Sequence, residues 1–486
     1  MRNSAAKLPP RRLKLLLILL FTTSTFYLLN RHHILLNLHC PSPPTTTSDL
    51  FLHTSLSSTP PPATTLRHLF FSVASSASSF SRRLPFLSLW YSPNTTRALL
   101  FLDKPPLSPP PLPFFVSSDT SRFPYSFPRG HRSAVRVARI VKEVFDRGES
   151  DVRWFVFGDD DTVFVPENLV GVLSKYDHEK WYYIGSNSES SEQNLRMTFG
   201  MAYGGGGFAI SSPLARVLSR VLDSCLMRYP HLYGSDHRIS SCIYELGIEL
   251  TREPGFHQLD VRGDLFGLLT AHPLSPLISL HHLEIVEPIF PRKNQTEAVQ
   301  HLFKAVRADP SRILQQTVCY DHSSNLTVSV AWGYAVQVFE GHLLLPDILA
   351  AQRSFTPWRR RGINIPSQYV FDTRDYPQDP CKRPVVFFLE DVASGTGRVW
   401  SKYRRNNSHS CSKPDAIENL KDVKVFSKKL QHNAGLVILS VLHREKLQLL
   451  AMAPRRDCCD IIHPFKKSMV IDIRHCGVNE LIAMNP

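Results

Sequence analysis

Short apolar runs alternate with amphipathic stretches through the first two-thirds of the chain. His68-Leu69-Phe70-Phe71-Ser72-Val73 and Ala98-Leu99-Leu100-Phe101-Leu102-Asp103 are too short for helices and read as buried strands, as does Trp154-Phe155-Val156-Phe157. Between them, Val135, Ala138, Val141 and Phe145 recur at helical spacing, which predicts a helix over Ser133 to Arg147 ended by Gly148. Further on, Ser212-Pro213 has the N-cap and first-turn proline of a helix start, and Leu214, Val217, Leu218, Val221, Leu222 and Cys225 form its buried face. Ile239, Cys242, Ile243 and Leu246 repeat the pattern. Strands and helices alternating at this spacing predict an α/β layered domain with a largely parallel sheet. From about Asn294 the period changes. Thr327 to Ala331, Val336 to Val338, Val385 to Leu389 and Met469 to Ile473 read as strands among cysteine-bearing loops, which predicts a β-rich, disulfide-stapled module.

The 486 residues suffice for two or three domains. The net charge of +14 suggests nucleic acid until its placement is considered. Residues 1–100 hold ten Lys or Arg against one acid, Asp49, and supply +9 of it; no basic stripe with interleaved aromatics follows, which argues against nucleic-acid binding. Much of the excess is N-terminal. Arg2, Lys7, Arg11, Arg12 and Lys14 precede an uncharged stretch from Leu15 to Leu29, and Ile34 to Leu36 extend its apolar character. This reads either as a cleaved signal peptide or as an uncleaved type II anchor; the lack of a small-x-small cleavage site favours the anchor. The expected organisation is a cytoplasmic tail at 1–14, a signal-anchor at 15–38 and a Pro/Ser/Thr-rich stem at 39–65. A catalytic domain at 66–292 and the C-terminal module at 293–486 follow. Glycosylation sequons at Asn94, Asn294, Asn325 and Asn406 agree with a lumenal course. Nine cysteines without zinc-type spacing read as disulfides in an oxidising compartment, with one thiol left over, best placed at Cys40.

The chemistry-bearing positions cluster in a few segments. Asp159-Asp160-Asp161 follow the Trp154 strand directly, and three adjacent carboxylates either form a solvated turn or repel one another until a cation neutralises them. Ligands of open α/β sheets bind at the carboxyl ends of strands, where this triplet falls. Gly204-Gly205-Gly206-Gly207, wedged between apolar segments, lets backbone approach a ligand closely. Asp236 would stand in the first turn of a helix, where a carboxylate is equally at home as a cap or as a base. Leu280-His281-His282-Leu283-Glu284 brings imidazoles into play. The Arg359-Arg360-Arg361 run reads as a solvated face.

Taken in order, Asp119 to Phe123, Trp154 to Thr162, Gly204 to Ser211, Gly234 to Ile239 and Ser279 to Glu284 resemble the fringe-type glycosyltransferases of family 31, closest to the plant fringe-related, membrane-anchored branch. The resemblance covers roughly residues 66–292. It implies a GT-A (Rossmann-like) fold followed by the β-rich module, and a Golgi type II membrane enzyme. Such an enzyme moves a sugar from a UDP-sugar to a glycan or glycoprotein acceptor, with Mn²⁺ (or Mg²⁺) and inversion. Carried across, Asp159 and Asp161 become the D-x-D pair and, with His282, the metal ligands. Asp160, Arg82, Arg83, Asp103, Gly205 and Gly206 become nucleotide contacts, and Asp236 the catalytic base. The fringe pattern has an acidic pair here, whereas Ser235 replaces its first member; aligning the pair one position later would put the base on His237. The rivals are a turnover-free scaffold that binds glycans or a partner enzyme, for which Ser235 speaks, and a secreted metal phosphohydrolase, which would need more ligands.

Overall fold

Strand β1 (Leu69–Ala74) is buried along its whole length, and its side chains divide by the two-residue period of a strand. Leu69, Phe71 and Val73 enter one apolar cluster, and Phe70 and Ala74 enter a second on the opposite face. The same division holds in β2 (Arg97–Leu102) and β4 (Trp154–Asp159), so these are central strands covered on both sides. The computed structural model describes residues 63–359, 368–406, 411–430, 455–465 and 467–482. The expected tail, signal-anchor, Cys40 and all of the stem but residues 63–65 lie outside the described residues.

With β3 (Phe114–Val116), β6 (Tyr183–Gly185), β7 (Phe208–Ser211) and β8 (Leu250–Arg252), these strands form a seven-stranded sheet ordered β3-β2-β1-β4-β7-β6-β8. Pairing is parallel except around β7, which runs antiparallel to β4 and β6. One face is covered by α2 (Ser133–Asp146), α3 (Ser212–Arg228) and α4 (Ser235–Glu245), whose apolar stripes share the second cluster. The α2 helix ends one residue before the sequence reading, and α3 starts at Ser212 itself, with Ser211 in the N-cap position. A Cys225–Cys242 disulfide staples α3 to α4. On the other face lies α1 (Phe80–Trp90), with a three-stranded ribbon of β5 (Val163–Phe164), β10 (Ser279–Leu280) and β9 (Phe256–His257), ordered β5-β10-β9.

After α5 (Gln295–Ala308) the chain builds an eight-stranded sheet. Its strands are β11 (Gln316–Asp321), β12 (Leu326–Ala331), β13 (Ala335–Glu340), β14 (Val385–Ser394), β15 (Arg398–Arg405), β16 (Asp422–Lys428), β17 (Cys458–Phe465) and β18 (Ser468–Arg474). They run in the order 11-12-13-14-15-16-18-17, and only β16 and β18 pair parallel. Its two edge strands are joined by Cys319–Cys459, so the sheet curls round and brings its two edges together. Cys381–Cys411 and Cys458–Cys476 complete the pairing of every cysteine in the described residues. The apolar cluster on the ribbon side of the first sheet continues without a break through α5 into Val399, Tyr403, Val425, Ile471 and Ile473. The change of architecture near residue 293 is therefore not a gap in packing.

Candidate active site

The β4 strand ends at Asp159, and a tight turn places three carboxylates in three different surroundings. Thr162 makes the turn: its hydroxyl accepts the Asp159 N–H at 2.8 Å and donates to the Gly205 carbonyl at 2.7 Å, which ties the triplet to the glycine loop. Asp160 turns back into the sheet, where Ser75 and Ser79 hydroxyls donate to it at 2.6 and 3.1 Å. Asp161 is buried between the Arg83 guanidinium and the His281 ring, whose Nε2 lies 3.1 Å from its Oδ1. Asp159 opens into the cleft, with Oδ2 3.8 Å from the same Nε2.

The sequence reading placed the third ligand at His282; the structure brings His281 to the carboxylates instead. His281 continues β10 directly and so projects back toward the β4 turn, whereas His282, with a left-handed φ of 56°, lies against the His281 ring on the same cleft, centroids 3.8 Å apart. There it stacks on Trp358, with ring centroids 4.6 Å apart, and its Nδ1 faces Asp260 at 3.8 Å. Among the described residues, Asp159, Asp161 and His281 are the group whose ligand atoms converge, all within 4.8 Å of one another. Two carboxylate oxygens and an imidazole suit Mn²⁺, and the other ring nitrogen, His281 Nδ1, lies 3.3 Å from the Gln258 carbonyl, an orienting contact of the kind metal-binding histidines make. The residues fit a divalent ion.

Arg83 spans the site, reaching Asp160 at 3.4 Å and Glu284 at 2.7 Å as well as Asp161. Arg82 stays outside, with its side chain 71 % exposed and Glu284 3.9 Å away. Asp103 sits beyond β2 and accepts the Ala77 N–H at 2.8 Å, at the edge of the cleft's strand ends. Gly206 donates its N–H to Gln258 Oε1 at 2.7 Å. Asp236, in the first turn of α4, accepts the Gly204 N–H at 3.3 Å and the His237 N–H at 3.0 Å, and opens on the same cleft as Asp159, Gly205 and His281, a hollow of about 190 Å³. Arg136 was not legible beforehand: it reaches from α2 to the Ser75 and Phe101 carbonyls at 2.8 and 3.2 Å, a half-buried cation at the ends of β1 and β2. Gln258 and Asp260 likewise carried no motif.

The charges answer to these surroundings. Burial would raise Asp161, but His281 and Arg83 outweigh it and hold the carboxyl below its ordinary range. Asp159, at the cleft floor, is raised by burial and by its two neighbouring carboxylates against the pull of His281, to about 7. Burial alone would lower His281, yet Asp161 and its hydrogen bond push it up to about 9. For His282, burial and the adjacent His281 charge drive it down to about 3. Burial also raises Asp236, against the two backbone N–H groups it accepts.

Two predictions arise here. With His281 at about 9, the ion-free protein carries a proton on that ring at pH 7.5, and ligation requires it to leave. Mn²⁺ binding should release about one proton per ion, with apparent affinity climbing about tenfold per pH unit from 7 to 9 and levelling above. Calorimetry in two buffers of different ionisation enthalpy measures this; a binding heat independent of buffer would remove His281 from the ligands. Secondly, a Cβ added at Gly205 would overlap the His281 ring. Gly205→Ala should weaken Mn²⁺ binding about tenfold or more with the fold intact. Unchanged affinity would show that the ring has room to retreat.

The family description "Protein of unknown function, DUF604" matches residues 193–459, more than half of the chain. The chain belongs to the DUF604 family. Over 81 residues this DUF604 protein is 41 % identical to the beta-1,3-N-acetylglucosaminyltransferase lunatic fringe of Xenopus laevis, covering 15 % of the chain and 22 % of that relative. Over 132 residues it is 32 % identical to a beta-1,3-glucosyltransferase of Homo sapiens, covering 27 % and 25 %. The DUF604 chain thus spans about a quarter of each relative's length. A solved structure, a glycosyltransferase involved in the glycosylation of the major capsid of PBCV-1, aligns with 38 % of the chain and 82 % of its own, at 11 % identity and a TM-score of 0.22.

Proposed function

We propose that this DUF604 protein is a glycosyltransferase, dependent on Mn²⁺ (or Mg²⁺), that moves a sugar from a UDP-sugar to a hydroxyl of a glycan or glycoconjugate with inversion. The observation that carries this reading is the convergence of Asp159, Asp161 and His281 at the end of β4, with Asp236 on the same cleft. When bound, the ion supplies Lewis-acid stabilisation to a leaving diphosphate. Arg83 and Arg136 add fixed positive charge beside the strand ends, where a diphosphate would lie. Asp236, whose carboxyl is raised above the ordinary carboxylate range by burial, is the group on this cleft suited to taking a proton from an acceptor hydroxyl. Both named relatives share a β-1,3 linkage and differ in the sugar, which supports β-1,3-type transfer and leaves the donor to be found by assay.

The reading includes the plant fringe-related branch of family 31, with residues 66–292 as the catalytic part and 293–486 as a β-rich extension. It also includes a type II Golgi membrane course with the catalytic part lumenal. Four disulfides suit an oxidising lumen, and the basic residues before Leu15 suit a cytoplasmic tail. No helix among the described residues is long and apolar enough to cross a membrane, and residues 15–38 lie outside them.

The test is UDP release by the full-length, detergent-solubilised protein across several UDP-sugars with Mn²⁺. One donor should be consumed, and EDTA should stop it. Donors that all remain intact, with Mn²⁺ and candidate acceptors present, would leave the glycan-binding scaffold as the better account.

A further inference from the structure

The segment from His257 to Asp260 forms one wall of the site, and a single buried carboxylate holds it from behind. Glu189 Oε2 accepts the Leu259 N–H at 2.8 Å, and its Oε1 faces His257 Nδ1 at 3.1 Å. Both neighbours of Gln258 are therefore fixed by one side chain. Gln258 in turn presents two groups to the site. Its Oε1 takes the Gly206 N–H at 2.7 Å, and its backbone carbonyl lies 3.3 Å from His281 Nδ1. A carbonyl can only accept, so Nδ1 keeps its hydrogen and Nε2 is the nitrogen left for an ion beside Asp159 and Asp161.

The wall needs holding. Leu259 has a φ of 56°, a conformation a branched side chain adopts only when its surroundings impose it. His257 is anchored at its far end too, with Nε2 2.9 Å from Nε2 of His272, whose Nδ1 faces the Pro273 carbonyl at 2.9 Å. Because that carbonyl accepts, His272 Nδ1 carries its hydrogen and Nε2 is the acceptor, so His257 Nε2 donates. Glu189, His257 and His272 are thus linked contact to contact in one buried chain behind the wall.

We propose that Glu189 is a positioning residue for the metal site, acting through His257 and Leu259 to set the Gln258 carbonyl and thereby the direction of His281 Nε2. This rests on the metal-dependent reading above. It assigns a role to a residue that lies 92 positions before His281 in sequence and outside the converging ligand group.

The experiment measures Mn²⁺ affinity of the full-length protein, in the presence of UDP, from the electron paramagnetic resonance signal of free Mn²⁺. Glu189→Asp keeps the charge but is one methylene too short to reach both partners, and should bind Mn²⁺ about tenfold more weakly. Glu189→Gln keeps an acceptor for Leu259 and a polar partner for His257, and should stay within about threefold of wild type. Asp309→Ala serves as the control for general destabilisation: it removes another buried carboxylate, which holds the Leu430 N–H at 3.0 Å beyond α5, and should lower the thermal midpoint without changing Mn²⁺ affinity. Wild-type affinity in Glu189→Asp, or an equal loss in Asp309→Ala, overturns the assignment. A wild-type protein that fails to bind Mn²⁺ overturns the metal reading itself, before any variant is compared.

Discussion

Asp161→Asn should abolish metal-dependent transfer, lowering kcat/KM by about 10³-fold, equivalent to about 4 kcal/mol of transition-state stabilisation. The size follows from what the side chain does at once. Asp161 is buried against Arg83 and His281, and it is the carboxylate kept ionised most firmly in the group. Asn preserves shape and loses the charge, so Arg83 still has Asp160 and Glu284 to neutralise it and the fold should survive. The change should also be visible without turnover. His281 owes its elevation to about 9 chiefly to Asp161, so in the variant its imidazole should titrate well below that value, as followed by NMR. Mn²⁺-dependent UDP release within tenfold of wild type would place the ion elsewhere.

The second large effect belongs to Asp236. Asp236→Asn should lower kcat by about 10³-fold, in the range lost when a general base is removed, while Mn²⁺–UDP affinity stays at the wild-type value. The separation is expected because Asp236 is absent from the converging ligand group yet opens on the same cleft. Its raised pKa sets the pH dependence: a base must be deprotonated to act, so the acid limb of kcat/KM should lie above the ordinary carboxylate range and vanish in the variant. His237 is the alternative base. Its pKa is lowered, mainly by burial, which favours the unprotonated ring that a base requires. An active Asp236→Asn beside an inactive His237→Ala would move the role one residue along.

What the chain reveals before folding follows the range of the interactions. The Asp triplet after an apolar strand, the amphipathic α2 and the strands β12 and β18 are local patterns, and each was readable. The choice between His281 and His282 was not, because the two rings lie side by side, centroids 3.8 Å apart, and only the folded backbone decides which of them meets the carboxylates. Strand β15, Arg-Val-Trp-Ser-Lys-Tyr-Arg-Arg, offers no apolar run because Arg398, Lys402 and Arg404 point outward beside the exposed Trp400, although Val399, Ser401 and Tyr403 alternate inward as a strand requires. Arg136 and Glu189 act on partners 61 and 70 positions away, distances over which no spacing rule operates.

The unbroken apolar cluster has a consequence for synthesis. Leu69 and Phe71 emerge early, yet the apolar cluster they belong to is completed only by Ile471 and Ile473. A nascent chain therefore carries one sticky, unfinished side for some 400 residues of elongation, which at about 5–20 residues per second is tens of seconds of exposure to aggregation. Nonsense or frameshift changes anywhere before residue 470 should consequently yield insoluble product rather than a shortened but working catalyst.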